Sequence, residues 1–224
     1  MRPAPLDVLY EDNHLLVVNK RAGLATQGAA KGMPSVVAAT KDYLKKKYSK
    51  PGNVYLGVVS RLDSLVSGVL VLARTSKAAA RLTEQFRMGT AEKAYLALVE
   101  RPPIPAAGEL SHWVINDDER ERMIVVPPHT PAAQHARLSY AVLQAAVGRT
   151  LVEIHLHTGR KHQIRLQLAT IGRPILGDRK YGSRMAFVDE AIALHSARLA
   201  IDHPTTRERM VFEAPPPKCW NIAR

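Results

Sequence analysis

The sequence predicts an α+β fold, a large and mainly antiparallel mixed sheet flanked by helices and loops. Most strand-like segments follow one another in hairpin order, three helical segments are interspersed among them, and neither a repeat nor a long linker divides the chain. Consecutive strands joined by short turns pair as antiparallel neighbours, and the helices between them cover a face of the sheet. We therefore expect residues 1–224 to form a single domain.

The first half of the chain alternates strands and helices. Ser35 is a predicted N-cap and is followed by apolar residues at helical spacing, while Ser76 is a predicted N-cap for a second helix that ends at Gly89. Short apolar runs rich in Val and Leu predict buried strands. The predicted strands lie at residues 6–12, 14–20, 58–59 and 69–73.

The second half is richer in strands. Its longest segments form a predicted hairpin across Gly148, and a third helix opens at Gly159 and Arg160 and ends at Gly172. The predicted strands lie at residues 91–99, 108–115, 121–126, 135–146, 149–158, 194–201 and 209–212. Loops are predicted at residues 27–34, 101–107 and 127–135.

Composition favours a polyanionic partner. The chain has 32 Lys and Arg against 20 Asp and Glu, a formal net charge of +12. Such an excess suits RNA, DNA or an anionic membrane, although it also fits a merely basic surface. A single cysteine, Cys219, excludes an internal disulfide and fits a reducing compartment. With neither a signal-peptide pattern nor a membrane-length apolar run, we expect a cytoplasmic protein without a membrane partner.

Residues 57–74 place a short polar island between two apolar runs. Arg61 and Asp63 lie in this island, and a carboxylate at the mouth of buried strands is costly unless it is paired or functional. Two interpretations stay open from this stretch alone: a structural Arg–Asp pair that ends a strand, or a catalytic Asp63.

Residues 158–167 form a turn into a helix that carries three cations, Arg160, Lys161 and Arg165. Helix N-termini favour anions, so the segment predicts a phosphate or carboxylate site, with a solvated cationic helix face as the alternative. Apolar residues closely flank Arg165, which predicts that its guanidinium is partly buried and needs a carboxylate partner.

Other kinds of site have weaker support. His155 and His157 share a strand face and His162 follows, but the segment has neither a Cys nor a carboxylate set that would complete a metal site. Phosphate-cradling glycine loops and a nucleophile elbow are missing from the sequence.

Several of these motifs together resemble the RluA-type RNA pseudouridine synthases. Arg61-Leu62-Asp63 with Ser67-Gly68 is similar to the central motif of that family, and Lys93-Ala94-Tyr95 and Thr158-Gly159-Arg160 through Gln163-Ile164-Arg165 are similar to its second and third motifs. The matches keep the family's order over residues 6–215. Further matches are Glu11-Asp12 with Val17 to Lys20, Gly172 to Ile175, Gly177-Asp178 with Tyr181-Gly182, and Leu194 to Ala197.

The resemblance implies an enzyme that detaches uracil from its ribose, rotates it and rejoins it through C5 without a cofactor or metal. Asp63 matches the essential carboxylate, which acts at C1′ of the sugar or at the uracil ring. Arg165 matches the arginine that pairs with this Asp. Tyr95 matches a tyrosine that stacks on the base and is a candidate to help remove the C5 proton.

The implied substrate is a structured ribosomal or transfer RNA, bound by a monomer that has no separate RNA-binding domain. Substrate choice is therefore expected to come from the loops at residues 27–34, 101–107 and 127–135. Its target uridine is flipped into the site, and phosphate contacts offset the cost of flipping. The residues expected to contact RNA are Lys20, Arg61, Arg160, Lys161, His162, Gln163 and Leu166, with Arg21, Arg179 and Lys180 as further contributors.

Four positions depart from the resembled pattern. Ser60 and Gln167 stand where His is common, Val66 where Thr is usual and Arg21 where Pro is usual. Ser60 and Val66 flank Asp63, so they bear on rate and RNA context more than on the type of reaction. They also favour the one rival hypothesis, a non-catalytic RNA-binding protein that has kept the scaffold.

Overall fold

A computed structural model describes residues 6–28, 34–49, 51–188 and 190–220. Contacts between Cα atoms divide the chain into two compact units. The first unit comprises Met1–Glu92 and Ser196–Pro216, and the second comprises Lys93–His195 and Pro217–Arg224. Part of the predicted loop 27–34 lies outside the described residues.

The first unit contains strands that are paired through β2 and β4. β2 (Leu15–Lys20) is the central strand, and β1 (Val8–Glu11) and β4 (Ser67–Ala73) pair with it on either side, both antiparallel. β3 (Gly57–Val58) pairs with β4. β10 (Leu194–Asp202) pairs with β11 (Arg209–Glu213). Every residue of β4 is buried, as its Val- and Leu-rich run predicts.

Two helices complete the first unit, α1 (Val36–Lys47) and α2 (Ser76–Met88). Ser35 caps α1 as predicted, because its hydroxyl accepts a hydrogen bond from the Ala38 N–H at 3.2 Å. The predicted cap of α2 is wrong by one residue: Thr75 has the extended backbone, and its hydroxyl accepts from the Ala78 N–H at 3.1 Å. Gly89 ends α2 in the left-handed conformation.

The second unit is an antiparallel sheet with one α-helix in its described part. The strand order is β5 (Glu92–Val99), β9 (Arg149–Leu156), β8 (Gln134–Ala146), β6 (Ala107–Asp117) and β7 (Arg122–Val126), and each neighbouring pair is antiparallel. The hairpin across Gly148 is therefore confirmed. Short 3₁₀ turns occur at Arg179–Tyr181 and Lys218–Trp220.

The third helix, α3 (Gln163–Thr170), begins later than predicted. His162 has a φ of 52°, in the left-handed region, so the helix cannot extend back to Gly159 and Arg160. Residues 158–162 are instead a turn that leads into the helix.

Each unit has its own apolar cluster. In the first, Leu15 and Val17 of β2 pack with Val69 and Val71 of β4 and with Leu82 of α2. In the second, α3 packs against one face of β6, β7 and β8 through a cluster of Val114, Met123, Ala136, Leu166 and Tyr181. The predicted α+β class and mainly antiparallel pairing are thus confirmed. The described helices are too short or too polar to span a membrane.

Candidate functional site

Asp63 lies in the first unit, in the loop that joins β3 to β4, and is half-buried. The loop is fastened by Thr26, whose hydroxyl donates to the Leu62 carbonyl at 2.8 Å and accepts from the Leu62 N–H at 3.2 Å. A turn follows at once, because the Val66 N–H donates to the Asp63 carbonyl at 3.1 Å. The carboxylate is therefore presented from a backbone that is held on both sides.

Lys20 supports the same loop from inside the protein. Its side chain is only 2% exposed, and Nζ donates to the carbonyls of Arg21 (3.0 Å), Leu24 (2.7 Å) and Ser64 (3.1 Å). Burial lowers the pKa of Lys20 to about 8, against a smaller opposing effect of the Asp63 charge. This interior location does not suit the phosphate contact expected from the sequence, since the ammonium group already joins two loops.

Gly68 explains why the central motif contains a glycine. Its φ of 114° is in the region that glycine tolerates, and a Cβ at this position would lie 2.6 Å from the backbone nitrogen of Ser196. The start of β4 can therefore approach Ser196 only because residue 68 has no side chain.

The neighbours of Asp63 differ in exposure. Arg61 is exposed, which is compatible with the RNA contact predicted for it, and Ser60 is half-buried. Val66 is buried, so an apolar side chain suits this position although the resembled family has Thr there.

In the second unit, β5 carries Tyr95 and Lys93 on one face. Tyr95 is buried and lies opposite Ile154 of β9. Lys93 is half-buried, and burial lowers the pKa of its ammonium group. Its Nζ would lie 3.4 Å from a Cβ at position 159, so the second and third motifs meet where Gly159 passes the lysine.

Arg165 of α3 is buried, as its apolar flanks predict, and it has a carboxylate partner that sequence reasoning missed. Its Nε and Nη2 donate to the two carboxylate oxygens of Asp178 at 2.7 and 2.8 Å, and its Cζ lies 5.0 Å from the centre of the Tyr181 ring. Asp178 was visible in the sequence within Gly177-Asp178, but its role was not. The pairing of Arg165 with Asp63 stays a prediction.

Gln163 and Leu166 lie in the interior of the second unit. The Gln163 amide oxygen accepts from the Thr158 hydroxyl at 2.7 Å and from the Arg160 N–H at 3.0 Å, and its amide nitrogen donates to the Arg137 carbonyl at 3.1 Å. Leu166 belongs to the apolar cluster beneath α3. Both therefore shape the turn that presents the cations, a location that does not favour the direct RNA contact expected of them.

His162 is held in its left-handed conformation by Tyr181. The His162 Nδ1 lies 2.9 Å from the Tyr181 hydroxyl, and that oxygen also accepts a hydrogen bond from the Met123 N–H at 3.0 Å. The Tyr181 hydroxyl thereby links β7 to His162, the residue that precedes α3. Sequence reasoning recognised Tyr181 only as part of a motif.

The remaining cations of the third motif stay near the surface. Arg160 Nε donates to the His135 carbonyl at 2.9 Å, and the exposed Lys161 Nζ donates to Asn116 Oδ1 at 3.0 Å. Lys180 similarly donates to the Glu121 carbonyl at 2.8 Å. Because neutral oxygens hold these groups, their charges stay available to an anion.

Gln167, which stands where His is common, is buried between α3 and two strands of the sheet. Its amide nitrogen donates to the carbonyls of Leu110 and Ala136, both at 3.1 Å, and lies 3.0 Å from His112 Nδ1. An amide at this position links α3 to β6 and β8. Burial lowers the pKa of His112.

The sequence left open a metal site at His155, His157 and His162. Among the described residues, no group of three or more His, Cys, Asp or Glu side chains is placed to hold a metal. His155 instead lies 3.2 Å from Glu153 on the same strand.

A family model described as RNA pseudouridylate synthase matches residues 14–170, which include Asp63, Tyr95 and Arg165. The chain belongs to the RNA pseudouridylate synthase family. The resemblance seen in the motifs is thereby confirmed, and the protein is an isomerase of the pseudouridine synthase class.

Relatives of this pseudouridine synthase match nearly its whole length. It is 35% identical over 222 residues to "Uncharacterized RNA pseudouridine synthase YhcT" of Bacillus subtilis, covering 98% of this chain and 72% of that protein. It is 35% identical over 216 residues to "Dual-specificity RNA pseudouridine synthase RluA" of Escherichia coli O6:H1, covering 94% of this chain and 93% of that protein. Among solved structures, "Human RNA Pseudouridylate Synthase Domain Containing 4" aligns with a TM-score of 0.77 and 25% identity, covering 95% and 89% of the two chains.

Proposed function

We propose that this pseudouridine synthase converts uridine to pseudouridine in a structured ribosomal or transfer RNA and that Asp63 is its catalytic carboxylate. The observation that carries the proposal is the backbone of the Asp63 loop, which Thr26 and Lys20 hold at the neighbouring residues Leu62 and Ser64. A catalytic group held on a fixed backbone needs little reorganisation when substrate binds.

The names of the relatives and the net charge support this substrate class. One relative is named as a dual-specificity RNA pseudouridine synthase, and a relative from Nitrosomonas europaea, 33% identical, as "Ribosomal large subunit pseudouridine synthase D". The second of these spans more than the present chain, which covers 62% of its length. The net charge of +12 supplies the attraction to phosphate that any such RNA requires.

In the proposed reaction, the target uridine leaves its base stack at a cost of a few kcal/mol. The bond between C1′ and N1 breaks, the uracil turns, C1′ joins C5, and the C5 proton is lost to a base while N1 gains a proton. Asp63 acts in its ionised form, at C1′ or at the ring. For Tyr95 we propose stacking on the base, and for Arg165, oriented by Asp178, the catalytic role that its motif match implies.

RNA contact is proposed for the cations near the surface, Arg61, Arg160 and Lys161, and for His162. For Lys20, Gln163 and Leu166 we propose positioning instead, because their side chains are buried and bonded or packed within the protein. We also propose that the chain acts as a cytoplasmic monomer and as one catalytic domain. Light scattering of the purified protein would test the monomer.

The reaction is tested by release of tritium from uridine labelled at C5, in unmodified transcripts of ribosomal and transfer RNA. Wild type should release label, and Asp63→Ala and Asp63→Asn should release none while keeping the melting temperature. Arg87→Met, in an exposed pair on α2, is the control and should be fully active. If wild type releases no label from any transcript that it binds, the rival hypothesis of a non-catalytic RNA-binding protein replaces this one.

A further inference from the structure

Trp113 and His135 form a ring pair on one face of the sheet in the second unit. They are direct partners in the register of β6 and β8, and their ring centres are 5.3 Å apart with 40° between the planes. Their chain neighbours Val114 and Ala136 point to the opposite face, where they pack with Leu166 of α3. The pair therefore lies on the face away from α3, and both residues are partly exposed.

The pair is held in place before any ligand arrives. The Ser111 hydroxyl lies 2.8 Å from His135 Nε2 and fixes the imidazole ring. Arg160 donates to the His135 carbonyl at 2.9 Å, which brings a guanidinium group of the third motif to the same strand position. A rigid aromatic surface loses little conformational freedom on binding.

The charge around the rings is positive. Arg137 follows two residues after His135 on the same face of β8 and is exposed. On β6 the nearest carboxylates of this face are Glu109 and Asp117, four residues to either side of Trp113. At the rise of an extended strand they are about 13 Å away along the strand. Flat rings beside guanidinium groups suit a ligand that has both aromatic faces and negative charge.

We propose that Trp113 and His135 are a stacking site for an unpaired base of the RNA, with Arg160 and Arg137 binding the adjoining phosphates. The proposal rests on the proposed function only for its choice of RNA as the ligand. Stacking on aromatic side chains together with cationic contacts to the backbone is the usual way in which proteins bind single-stranded nucleic acid. The pair lies at the base of the 127–135 loop, one of the loops that the sequence singled out for substrate choice.

Tryptophan fluorescence tests the stacking directly. The chain has two tryptophans, and Trp220 is 2% exposed and packed beside His195, so Trp113 is the accessible reporter. Titration with a single-stranded oligouridylate should quench the emission, and Trp220→Phe should keep this quenching while Trp113→Phe loses it. Heparin, a polyanion without bases, should bind without quenching. Equal quenching by heparin would overturn the stacking site.

Affinity supplies the second measurement. Trp113→Ala should raise the Kd for the oligouridylate and for an unmodified transfer RNA transcript roughly 5- to 100-fold at constant salt, whereas Trp113→Phe should stay within about threefold of wild type. Unchanged affinity in a folded Trp113→Ala protein would reject the proposal. Failure of the proposed function is distinguishable: wild type would then quench and bind but release no C5 tritium, whereas failure of the stacking site would leave release intact.

Discussion

The loop of Asp63 and the start of α3 are two motif regions that the protein holds by different means. In the first unit, the Asp63 loop is fastened through backbone atoms: Thr26 bonds the Leu62 backbone, Lys20 bonds three carbonyls, and Gly68 lies against the backbone of Ser196. In the second unit, bonds between side chains are added to the contacts with backbone, as in Arg165 with Asp178 and His162 with Tyr181.

The difference is clearest in the two buried cations. Lys20 donates to three neutral carbonyls, and burial lowers its pKa to about 8 against the smaller opposing effect of the Asp63 charge. Arg165 has a carboxylate on its fork and stays charged at any working pH. The bonds of Lys20 fix the backbone of a loop, whereas the bonds of Arg165 fix the orientation of its guanidinium group.

The largest loss of stability is expected from a substitution at Gly68, where the backbone of β4 lies against the backbone of Ser196. Gly68→Ala places a Cβ 2.6 Å from the Ser196 nitrogen and imposes an unfavourable φ, and no side-chain rotation can relieve the overlap. We expect a protein that fails to fold or melts far below wild type. Gly89→Ala is the matched control, since Gly89 has a φ of 74° but meets nothing within 4 Å. Similar melting temperatures for the two variants would show that strain, not contact, constrains position 68.

The next largest effect concerns the side-chain pair. Arg165→Met leaves the Asp178 carboxylate buried without its guanidinium and should lower the free energy of unfolding by about 3–5 kcal/mol. Urea unfolding of Arg165→Met, Asp178→Asn and the double variant measures the coupling between the two residues. Strictly additive losses would contradict Asp178 as the principal partner of Arg165.

A smaller and pH-dependent effect is expected at Lys20. Its pKa is about 8 in the folded protein, compared with the ordinary value of 10.5 that applies to the unfolded chain. Between pH 8 and pH 10.5 the unfolded chain therefore binds more protons at this residue than the folded protein does. The cost of burying the charged form is therefore complete below pH 8 and is relieved as the pH rises to 10.5.

Relative to Lys20→Met, wild type should gain about 2–3 kcal/mol of unfolding free energy between pH 7.5 and 10.5. Lys20→Arg, which does not titrate in this range, should lack the gain. Denaturant midpoints at several pH values provide the measurement, and a constant difference between wild type and Lys20→Met would contradict a strongly perturbed lysine.

Parts of the site could be read from the sequence because they depend on local residue type. The burial of Arg165 follows from its apolar flanks, and the Ser35 cap follows from a hydroxyl before an apolar helix. The misassigned features depend on backbone geometry. Thr75 takes the cap that Ser76 was expected to provide, and the left-handed His162 delays the start of α3.

By itself, the sequence determined the α+β class, the antiparallel pairing and the family, because hydrophobic periodicity and the order of motifs are properties of the chain. Only the tertiary structure decided the partners of the buried polar groups. Asp178 lies 13 residues from Arg165 and Ser64 lies 44 residues from Lys20, so contacts of this kind leave no periodic signal in the chain. A buried charge must find a partner somewhere, but which partner it finds depends on the packing that brings distant segments together.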